Sequence, residues 1–158
     1  MTDEEFMAIA LEEAKIAFQE DEIPIGAVLV KDERIIARGH NRTITLKDPT
    51  AHAEIQTLRS GALILNNYRL PETSLYVTVE PCIMCYGALI HARIGRLIYG
   101  AEEYRTGAIN SVFNFSNNNL INHRFQVTSG ILKEECAAIM QEFFRKRREE
   151  QKRQKTNE

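Results

Sequence analysis

Two short runs far apart in the chain, His52-Ala53-Glu54 and Pro81-Cys82-Ile83-Met84-Cys85, constrain the fold more than any other feature. They supply one imidazole, two thiols at a spacing common in metal-binding loops, and a carboxylate two residues after the histidine. A structural zinc site has four protein ligands, whereas a catalytic site has three and keeps its fourth position for water. Three ligands and a spare acid therefore predict a catalytic zinc site where the two runs meet.

Other interpretations of the same residues are possible. A Cys-x-x-Cys pair also occurs in redox motifs and in zinc knuckles. A four-ligand structural site completed by His40, His91 or His123 is compatible with the spacing, but it leaves Glu54 without a role. Cys136 follows a helical apolar pattern, which predicts a small buried side chain and not a ligand.

The composition is that of an ordinary globular protein, and the length of 158 residues predicts one domain, residues 1–158. The amino terminus is acidic where a secretory signal is basic and then apolar, and no apolar run reaches the ~18 residues that span a bilayer. Three cysteines, two of them at close spacing, do not indicate a disulfide framework. We therefore expect a cytoplasmic protein that does not associate with membranes.

Charge is distributed unevenly along the chain. Residues 145–158 hold seven of the 20 lysines and arginines but only three of the 22 acidic residues, whereas the whole chain has a net charge of −2. Such a basic end indicates contact with a polyanion. We expect Arg145, Arg147 and Arg148 to approach phosphates, and one of Phe143 and Phe144 to pack inward while the other stacks on a base.

Periodicity and turn signals predict an alternation of helices and strands. Thr2 and Glu5 form a capping box for the first helix, Thr50 is the expected N-cap of the helix that begins near His52, and Pro81 is expected to open the next helix. The long connection before the last strand favours a parallel pairing, and residues 114–119 are expected to be irregular. The predicted helices are 2–20, 52–63, 81–92 and 132–155, and the predicted strands are 25–30, 35–37, 74–79, 96–100 and 125–128.

The zinc ligands and the spare carboxylate predict hydrolysis. Zinc lowers the pKa of a bound water to about 7, so that a nucleophile is available at neutral pH. Glu54 is then placed to take a proton from the water and return it to the substrate, as a general acid and base does. The expected target is an electron-poor carbon.

The pairing of His-x-Glu with Pro-Cys-x-x-Cys is the signature of zinc-dependent nucleobase deaminases. Over nearly its whole length the chain resembles the bacterial tRNA-specific adenosine deaminases, which belong to the cytidine deaminase-like superfamily. The two zinc-site runs are common to the superfamily, and the resemblance to the tRNA branch depends on three stretches near the carboxyl end. The similar stretches are residues 24–30, 48–54, 80–85, 106–108, 122–124 and 135–145.

The resemblance implies a three-layer α/β/α fold with a central five-stranded mixed sheet, working as a homodimer. It also implies conversion of adenosine to inosine at the wobble position of a tRNA anticodon, usually in an arginine tRNA. In that reaction zinc-bound hydroxide attacks C6 of adenine while a glutamate shuttles protons.

Site roles follow from the resemblance residue by residue. His52, Cys82 and Cys85 match the zinc ligands, and Glu54 matches the proton shuttle. Residues matching the substrate contacts and pocket lining are Asn41, Ala53, Ile25 and Val28.

The chain departs from the family pattern at two positions. Glu103 stands where the family more often has an aspartate near the target ribose, and Asn110 stands where glycine is usual. Neither departure lies within the zinc-site runs.

Two other functions remain open at this point. One is a zinc-dependent deaminase of free nucleobases or nucleosides, of the guanine or cytosine type. The other is a zinc-stabilised RNA-binding module without catalysis.

Overall fold

The first helix begins at the predicted capping box. In the computed structural model, which describes residues 1–118 and 121–157, the Thr2 hydroxyl accepts from the Glu5 N–H at 3.2 Å. The Thr2 N–H donates to the Glu5 carboxylate at 2.9 Å. The helices are α1 (Asp3–Gln19), α2 (Thr43–Leu46), α3 (Ala53–Leu65), α4 (Ile83–Ala92) and α5 (Lys133–Thr156). The strands are β1 (Gly26–Lys31), β2 (Arg34–His40), β3 (Ser74–Val79), β4 (Arg96–Ala101) and β5 (Gln126–Thr128).

The five strands form one mixed sheet in the order β2-β1-β3-β4-β5. β1 pairs antiparallel with both β2 and β3. β4 runs parallel to β3 on one side and to β5 on the other. The predicted β1–β2 hairpin, the parallel last pair and the five-stranded mixed sheet are therefore confirmed.

Helices cover both faces of the sheet because alternate strand residues are apolar on both sides. Leu29, Val77 and Leu97 pack against α3 and α4, and Val28 and Ile98 pack against α1 and α5. This arrangement confirms the predicted three layers. Cys136 is fully buried in the second cluster, as its helical pattern predicts.

Two glycines allow helices to lie directly on the strands. A Cβ at Gly26 would lie 2.0 Å from the carbonyl oxygen of Ala10 in α1. A Cβ at Gly100 would lie 2.4 Å from the sulfur of Cys136 in α5. A side chain at either position would push a helix away from the sheet.

The starts of α3 and α4 differ from the predictions. The Thr50 hydroxyl donates to the Asp48 carboxylate at 2.7 Å, so Thr50 belongs to a turn and His52 is the N-cap of α3. The carbonyl oxygen of Pro81 accepts from the Ala108 N–H at 2.9 Å, so Pro81 precedes α4 and Cys82 is its N-cap. Two metal-ligand candidates therefore occupy cap positions.

The segments expected to be irregular contain two short regular elements. Helix α2 was not predicted, and Phe115–Asn117 forms a single 3-10 turn where no regular structure was expected. Residue 119, at the end of the asparagine-rich segment, lies outside the described residues. None of the described helices combines the length and the apolar character that a membrane-spanning helix requires.

Candidate metal centre and active site

The two motif runs meet in space. His52 Nδ1 lies 3.5 Å from Cys85 Sγ and 3.7 Å from Cys82 Sγ. In the part of the chain that the structure describes, these residues form the one group of three or more His, Cys, Asp or Glu side chains close enough to share a metal ion. The sequence prediction that places them together is thus met by the geometry.

Helix geometry explains how the three side chains converge. His52 and Cys82 are the extended N-cap residues of α3 and α4, and neither side chain makes a capping hydrogen bond. Cys85 follows within the first turn of α4. The unpaired N–H groups and the positive dipole end of each helix favour thiolate at this point.

The donor set fits zinc. In a tetrahedral site with Zn–S of about 2.3 Å and Zn–N of about 2.0 Å, a sulfur and a nitrogen ligand lie about 3.5 Å apart. The two observed N–S separations match that value. Two sulfurs and one imidazole are ligands that zinc prefers, and three protein ligands leave one position for water or substrate.

Electrostatic interactions within the trio shift the pKa values of the two thiols in opposite directions. A hydrogen bond from the Cys85 thiol, helped by His52, lowers the pKa of Cys82 to about 4. The same contact with Cys82, together with burial, raises the pKa of Cys85. Interaction with Cys82 raises the pKa of His52. The surroundings therefore favour the thiolate, the form that a metal binds, at Cys82 more than at Cys85.

Glu54 is a buried carboxylic acid beside the trio. Only 4% of its surface is exposed, and burial raises its pKa to about 7. A group that titrates near neutral pH can both accept and donate a proton, which is the requirement for general acid-base catalysis.

Two of the three histidines considered for the rival structural site make different contacts. The two ring nitrogens of His40 lie 3.3 Å and 2.8 Å from the carboxylates of Glu13 and Glu20. His123 Nε2 lies 2.7 Å from the Ile94 carbonyl oxygen. Within the described residues no fourth histidine or cysteine ligand joins the trio.

Two of the expected substrate residues, Ile25 and Ala53, lie on the same side of the sheet, and Asn41 bonds to the backbone of Ile25. Asn41 follows β2, is almost fully buried, and donates its N–H to the Ile25 carbonyl oxygen at 3.1 Å. Ile25 packs against the core cluster that contains Ala53, the first residue of α3. Their positions are compatible with a pocket wall beside the metal centre.

Val28 requires a correction. Its side chain is fully buried in the cluster under α1 and α5, on the face of the sheet opposite to Ala53. Successive residues of a strand point to opposite faces, so Val28 cannot line the pocket on the α3 side. Pocket lining remains an expectation for Ile25.

A groove of about 710 Å³ lies at the carboxyl ends of β3 and β4, the edge from which α4 also begins. Parallel strands place ligand sites at this edge. One wall is the loop after β4 and the other is a face of α5. The charged and aromatic lining residues are Glu102, Glu103, Tyr104, Arg105, Phe144, Arg147 and Arg148.

The structure separates the two phenylalanines of α5. Phe143 is 2% exposed and packs edge-on against Phe18 of α1 at 5.8 Å, so Phe143 is the ring of the pair that packs inward and it is not available to RNA. Phe144 is 36% exposed and lines the groove. Phe144 is therefore the ring available for stacking.

The three arginines also differ. Arg145 is exposed and pairs with Glu142 and with Glu149 on its own helix, and it does not line the groove. The Arg147 guanidinium stacks 4.7 Å from the Phe143 ring centroid and donates to the Asp21 carbonyl oxygen. Arg148 lines the groove and makes no ion pair with the described residues.

Sequence reasoning missed Glu80 and Tyr104. The Glu80 carboxylate is 3% exposed and accepts hydrogen bonds from the loop after β4, which lower its pKa against the effect of burial. Tyr104 is 72% exposed on the same loop. The position of Glu80 immediately before Pro81 and Cys82 was the available signal, whereas nothing in the local sequence marked Tyr104.

The departure at Asn110 fits this network. Its N–H donates to Glu80 at 2.8 Å, and its side-chain amide donates to the Tyr99 hydroxyl at 3.1 Å. An asparagine is therefore accommodated here with a side-chain partner that glycine lacks.

Comparison with known proteins identifies the family. The MafB19-like deaminase family model matches residues 1–148. The tRNA-specific adenosine deaminase of Haemophilus influenzae is 54% identical over 154 residues, covering 97% of this chain and 89% of its own length. The chain belongs to the tRNA-specific adenosine deaminase family.

Solved structures of deaminases share the fold. A tRNA:A34 deaminase, studied for A-to-I editing at the wobble position of transfer RNA, is 49% identical with a TM-score of 0.83. It covers 85% of this chain and 98% of its own. A guanine deaminase from Bacillus subtilis is 35% identical with a TM-score of 0.62, over 76% of this chain and 87% of its own.

Proposed function

We propose that this member of the tRNA-specific adenosine deaminase family hydrolyses adenosine to inosine at the wobble position of a tRNA anticodon, most typically that of an arginine tRNA. The observation that carries the proposal is the trio His52, Cys82 and Cys85 beside buried Glu54, in a chain 54% identical to a tRNA-specific adenosine deaminase. A tRNA substrate also supports the predicted cytoplasmic location.

Zinc held by His52, Cys82 and Cys85 would activate a water molecule at neutral pH. Glu54 holds the proton that moves from water to the purine ring, and a second proton leaves with ammonia, so that adenosine and water give inosine and ammonia. Burial raises the pKa of the Glu54 carboxyl group toward neutral pH, which suits it to both transfers.

The groove between the loop after β4 and α5 supports an RNA substrate. Phe144 offers an aromatic face, and Arg148 offers a charge that no acidic side chain neutralises in the described structure. Stacking on an aromatic ring contributes about 1–3 kcal/mol per base. The reacting base must also turn out of its loop into the pocket, which costs less for an unpaired anticodon base.

A homodimer is supported by an apolar surface on α3 and α4. Leu63 and Ile64 near the end of α3, and Tyr68 after it, are exposed, and an apolar groove of about 370 Å³ lies beside Tyr68. Exposed apolar surface of this kind marks protein interfaces. We propose that a second copy of this chain covers it.

A free-base deaminase is the second candidate, because a guanine deaminase is 35% identical and shares the fold. The basic end of α5 and the open groove favour RNA, since a free base needs neither. The two candidates differ in substrate size, so one experiment separates them.

The test is incubation of the purified, zinc-loaded protein with total bacterial tRNA, followed by mapping of inosine by sequencing. We expect inosine at the wobble position of one arginine tRNA, and none after zinc is removed by chelation. A parallel reaction with guanine and with free adenosine is the control. Deamination of a free base without inosine in any tRNA would overturn the proposal in favour of the second candidate.

A further inference from the structure

Glu80 lies on the segment that joins β3 to the metal-binding helix. It follows Val79, the last residue of β3, and precedes Cys82, the N-cap of α4, by two residues. Its N–H donates to the carbonyl oxygen of Ala101 at the end of β4, at 2.8 Å. The backbone of Glu80 is thus fixed between the two parallel strands whose ends form the groove.

The Glu80 carboxylate accepts several hydrogen bonds from the loop after β4. Its Oε1 accepts from the Glu103 N–H at 3.1 Å and from the Ser111 hydroxyl. Its Oε2 accepts from the N–H groups of Ile109, Asn110 and Ser111 at 3.0, 2.8 and 3.1 Å. Both ends of the loop are therefore held by one side chain.

The charge of Glu80 is balanced by four backbone N–H groups and the Ser111 hydroxyl. Among the described residues no lysine, arginine or histidine forms an ion pair with it. Convergent N–H groups of a loop make a concave site for an anion, and hydrogen bonds to a carboxylate are stronger than those between neutral groups. A carboxylate is the one side chain that accepts on both oxygens at once.

The same loop also touches the metal-binding segment directly. Gly107 forms an antiparallel bridge with Cys82, and the Ala108 N–H donates to the Pro81 carbonyl oxygen. A Cβ at Gly107 would lie 2.5 Å from the Glu80 carboxyl carbon, so the loop packs onto Glu80 without space for a side chain. The substrate-facing loop and the metal ligands are one packed unit.

We propose that Glu80 is a positioning residue, which sets the groove wall formed by Glu103 and Tyr104 at a fixed place relative to the metal centre. The link is short: the Glu103 N–H bonds to Glu80, and Cys82 follows Glu80 by two residues. This inference rests on the proposed function for its substrate, an RNA held in the groove. Glu80 itself acts on the reaction only through the residues that it holds.

The variant Glu80→Gln tests the proposal because it replaces one acceptor oxygen of the carboxylate with an NH₂ group. The amide oxygen of glutamine can keep the three N–H donors on the Oε2 side, whereas its NH₂ group, a donor, faces the Glu103 N–H. We expect the loop to lose the hydrogen bond between the Glu103 N–H and residue 80, at the end that lines the groove. The bonds from the N–H groups of residues 109–111 should remain. The KM for an anticodon stem-loop should rise about tenfold or more, with a smaller change in kcat.

A matched control is Ser111→Ala, which removes one hydroxyl from Oε1 and leaves the Glu103 N–H bonded. Its KM should stay within about twofold of the parent value. Zinc content of one per chain in both variants would show that the metal centre is intact. An unchanged KM in Glu80→Gln, or an equal rise in both variants, would overturn the proposal.

Amide hydrogen exchange of the zinc-loaded protein without RNA gives a readout independent of activity. In Glu80→Gln the Glu103 amide should exchange much faster while the Ile109 amide keeps its protection. If wild type deaminates no RNA, the proposed function fails, but the exchange pattern still tests Glu80. Equal protection of Glu103 in both proteins would overturn the positioning role. If Glu80→Gln does not fold, Glu80→Asp, which keeps the charge but is too short for both sides, is measured in the same way.

Discussion

At the scale of single residues, Glu54 and Asp3 show how surroundings decide what a carboxyl group does. Burial beside the metal-ligand trio raises the pKa of Glu54 to about 7. Asp3, near the start of α1, receives two hydrogen bonds from the Arg96 guanidinium, which lower its pKa. The first carboxyl group is suited to proton transfer and the second to a permanent charge.

Glu54→Gln should abolish deamination while the zinc site persists. Glutamine keeps the shape but cannot exchange protons, so the rate of inosine formation should fall by about 10²–10⁴-fold, the usual contribution of a general acid-base group. Single-turnover kinetics with metal analysis on the same sample measures both effects. Retained activity would remove Glu54 from the reaction, and lost zinc would make it a ligand.

Asp3→Asn should lower stability in a pH-dependent way. A folded pKa below the unfolded value means that the stabilising contribution is present above the unfolded pKa of about 3.9 and is lost as the pH falls through the folded pKa. We expect the variant to be about 1 kcal/mol less stable at pH 7, a value kept small because the pair is partly exposed to solvent. Urea denaturation from pH 7 to pH 3 should show a constant difference down to about pH 5 and a shrinking one below pH 4. A difference independent of pH would contradict this account.

At the scale of elements, α5 combines a structural face with a substrate-facing one. Phe143 and Cys136 are buried against the sheet and α1, whereas Phe144 and Arg148 line the groove. Adjacent residues of a helix point about 100° apart, so neighbours in sequence serve different partners.

Phe143→Ala and Phe144→Ala should separate these faces. Removing the buried ring should cost about 3–5 kcal/mol of stability. Removing the groove ring should leave stability nearly unchanged and weaken RNA binding by about 1–3 kcal/mol, the value of one base stacked on an aromatic ring. Thermal unfolding and binding of an anticodon stem-loop measure the two effects, and a reversed pattern would contradict the assignment.

Arg148→Ala and Arg145→Ala form a second matched pair. The association constant K for RNA falls as salt rises, and each phosphate contact that is lost makes the slope of log K against log salt concentration less steep by about 0.7–0.9. Arg148→Ala should show this decrease, whereas Arg145→Ala should show less because Glu142 and Glu149 already pair with Arg145. Binding titrations with RNA between about 50 and 200 mM salt give the slope for each variant. Equal slopes in the two variants would show that Arg148 does not contact phosphate more than Arg145 does.

Local signals predicted most of the elements, and their failures have physical reasons. The Thr2–Glu5 capping box and the alternation in Ser74–Val79 predicted α1 and β3 because the determining residues are neighbours in sequence. Helix α2 was missed because Glu22, far away in sequence, accepts from its N–H groups at Ile44 and Thr45. Long-range contacts of this kind have no local signature.

The candidate site was also predicted in part, where the residues that form it are close in sequence. The spacing within the two runs predicted the trio of metal ligands, which the structure brings together. The face on which Val28 lies depends on strand register, and the groove depends on how α5 packs against the loop after β4. Neither can be inferred from the spacing of motifs.

At the scale of the whole molecule, the exposed apolar surface of α3 and α4 predicts self-association. Leu63 and Ile64 are 84% and 61% exposed, which is costly for a monomer in water. The double variant Leu63→Glu with Ile64→Glu should be monomeric by sedimentation equilibrium. Ile16→Glu, on the opposite face of the sheet in α1, is the control and should leave a dimer. A monomeric wild type at micromolar concentration would contradict the homodimer.

The length of α5 has a consequence for how the protein meets its substrate. The nine residues 148–156 are all exposed and extend for about 13 Å at 1.5 Å per residue. Arg148 and Gln151 line the groove, whereas the cations Lys152, Arg153 and Lys155 follow in the exposed last turns. The rest of the chain, residues 1–144, holds 19 acidic residues against 13 basic ones. We expect this exposed basic end to attract an approaching polyanion that the acidic remainder of the chain repels.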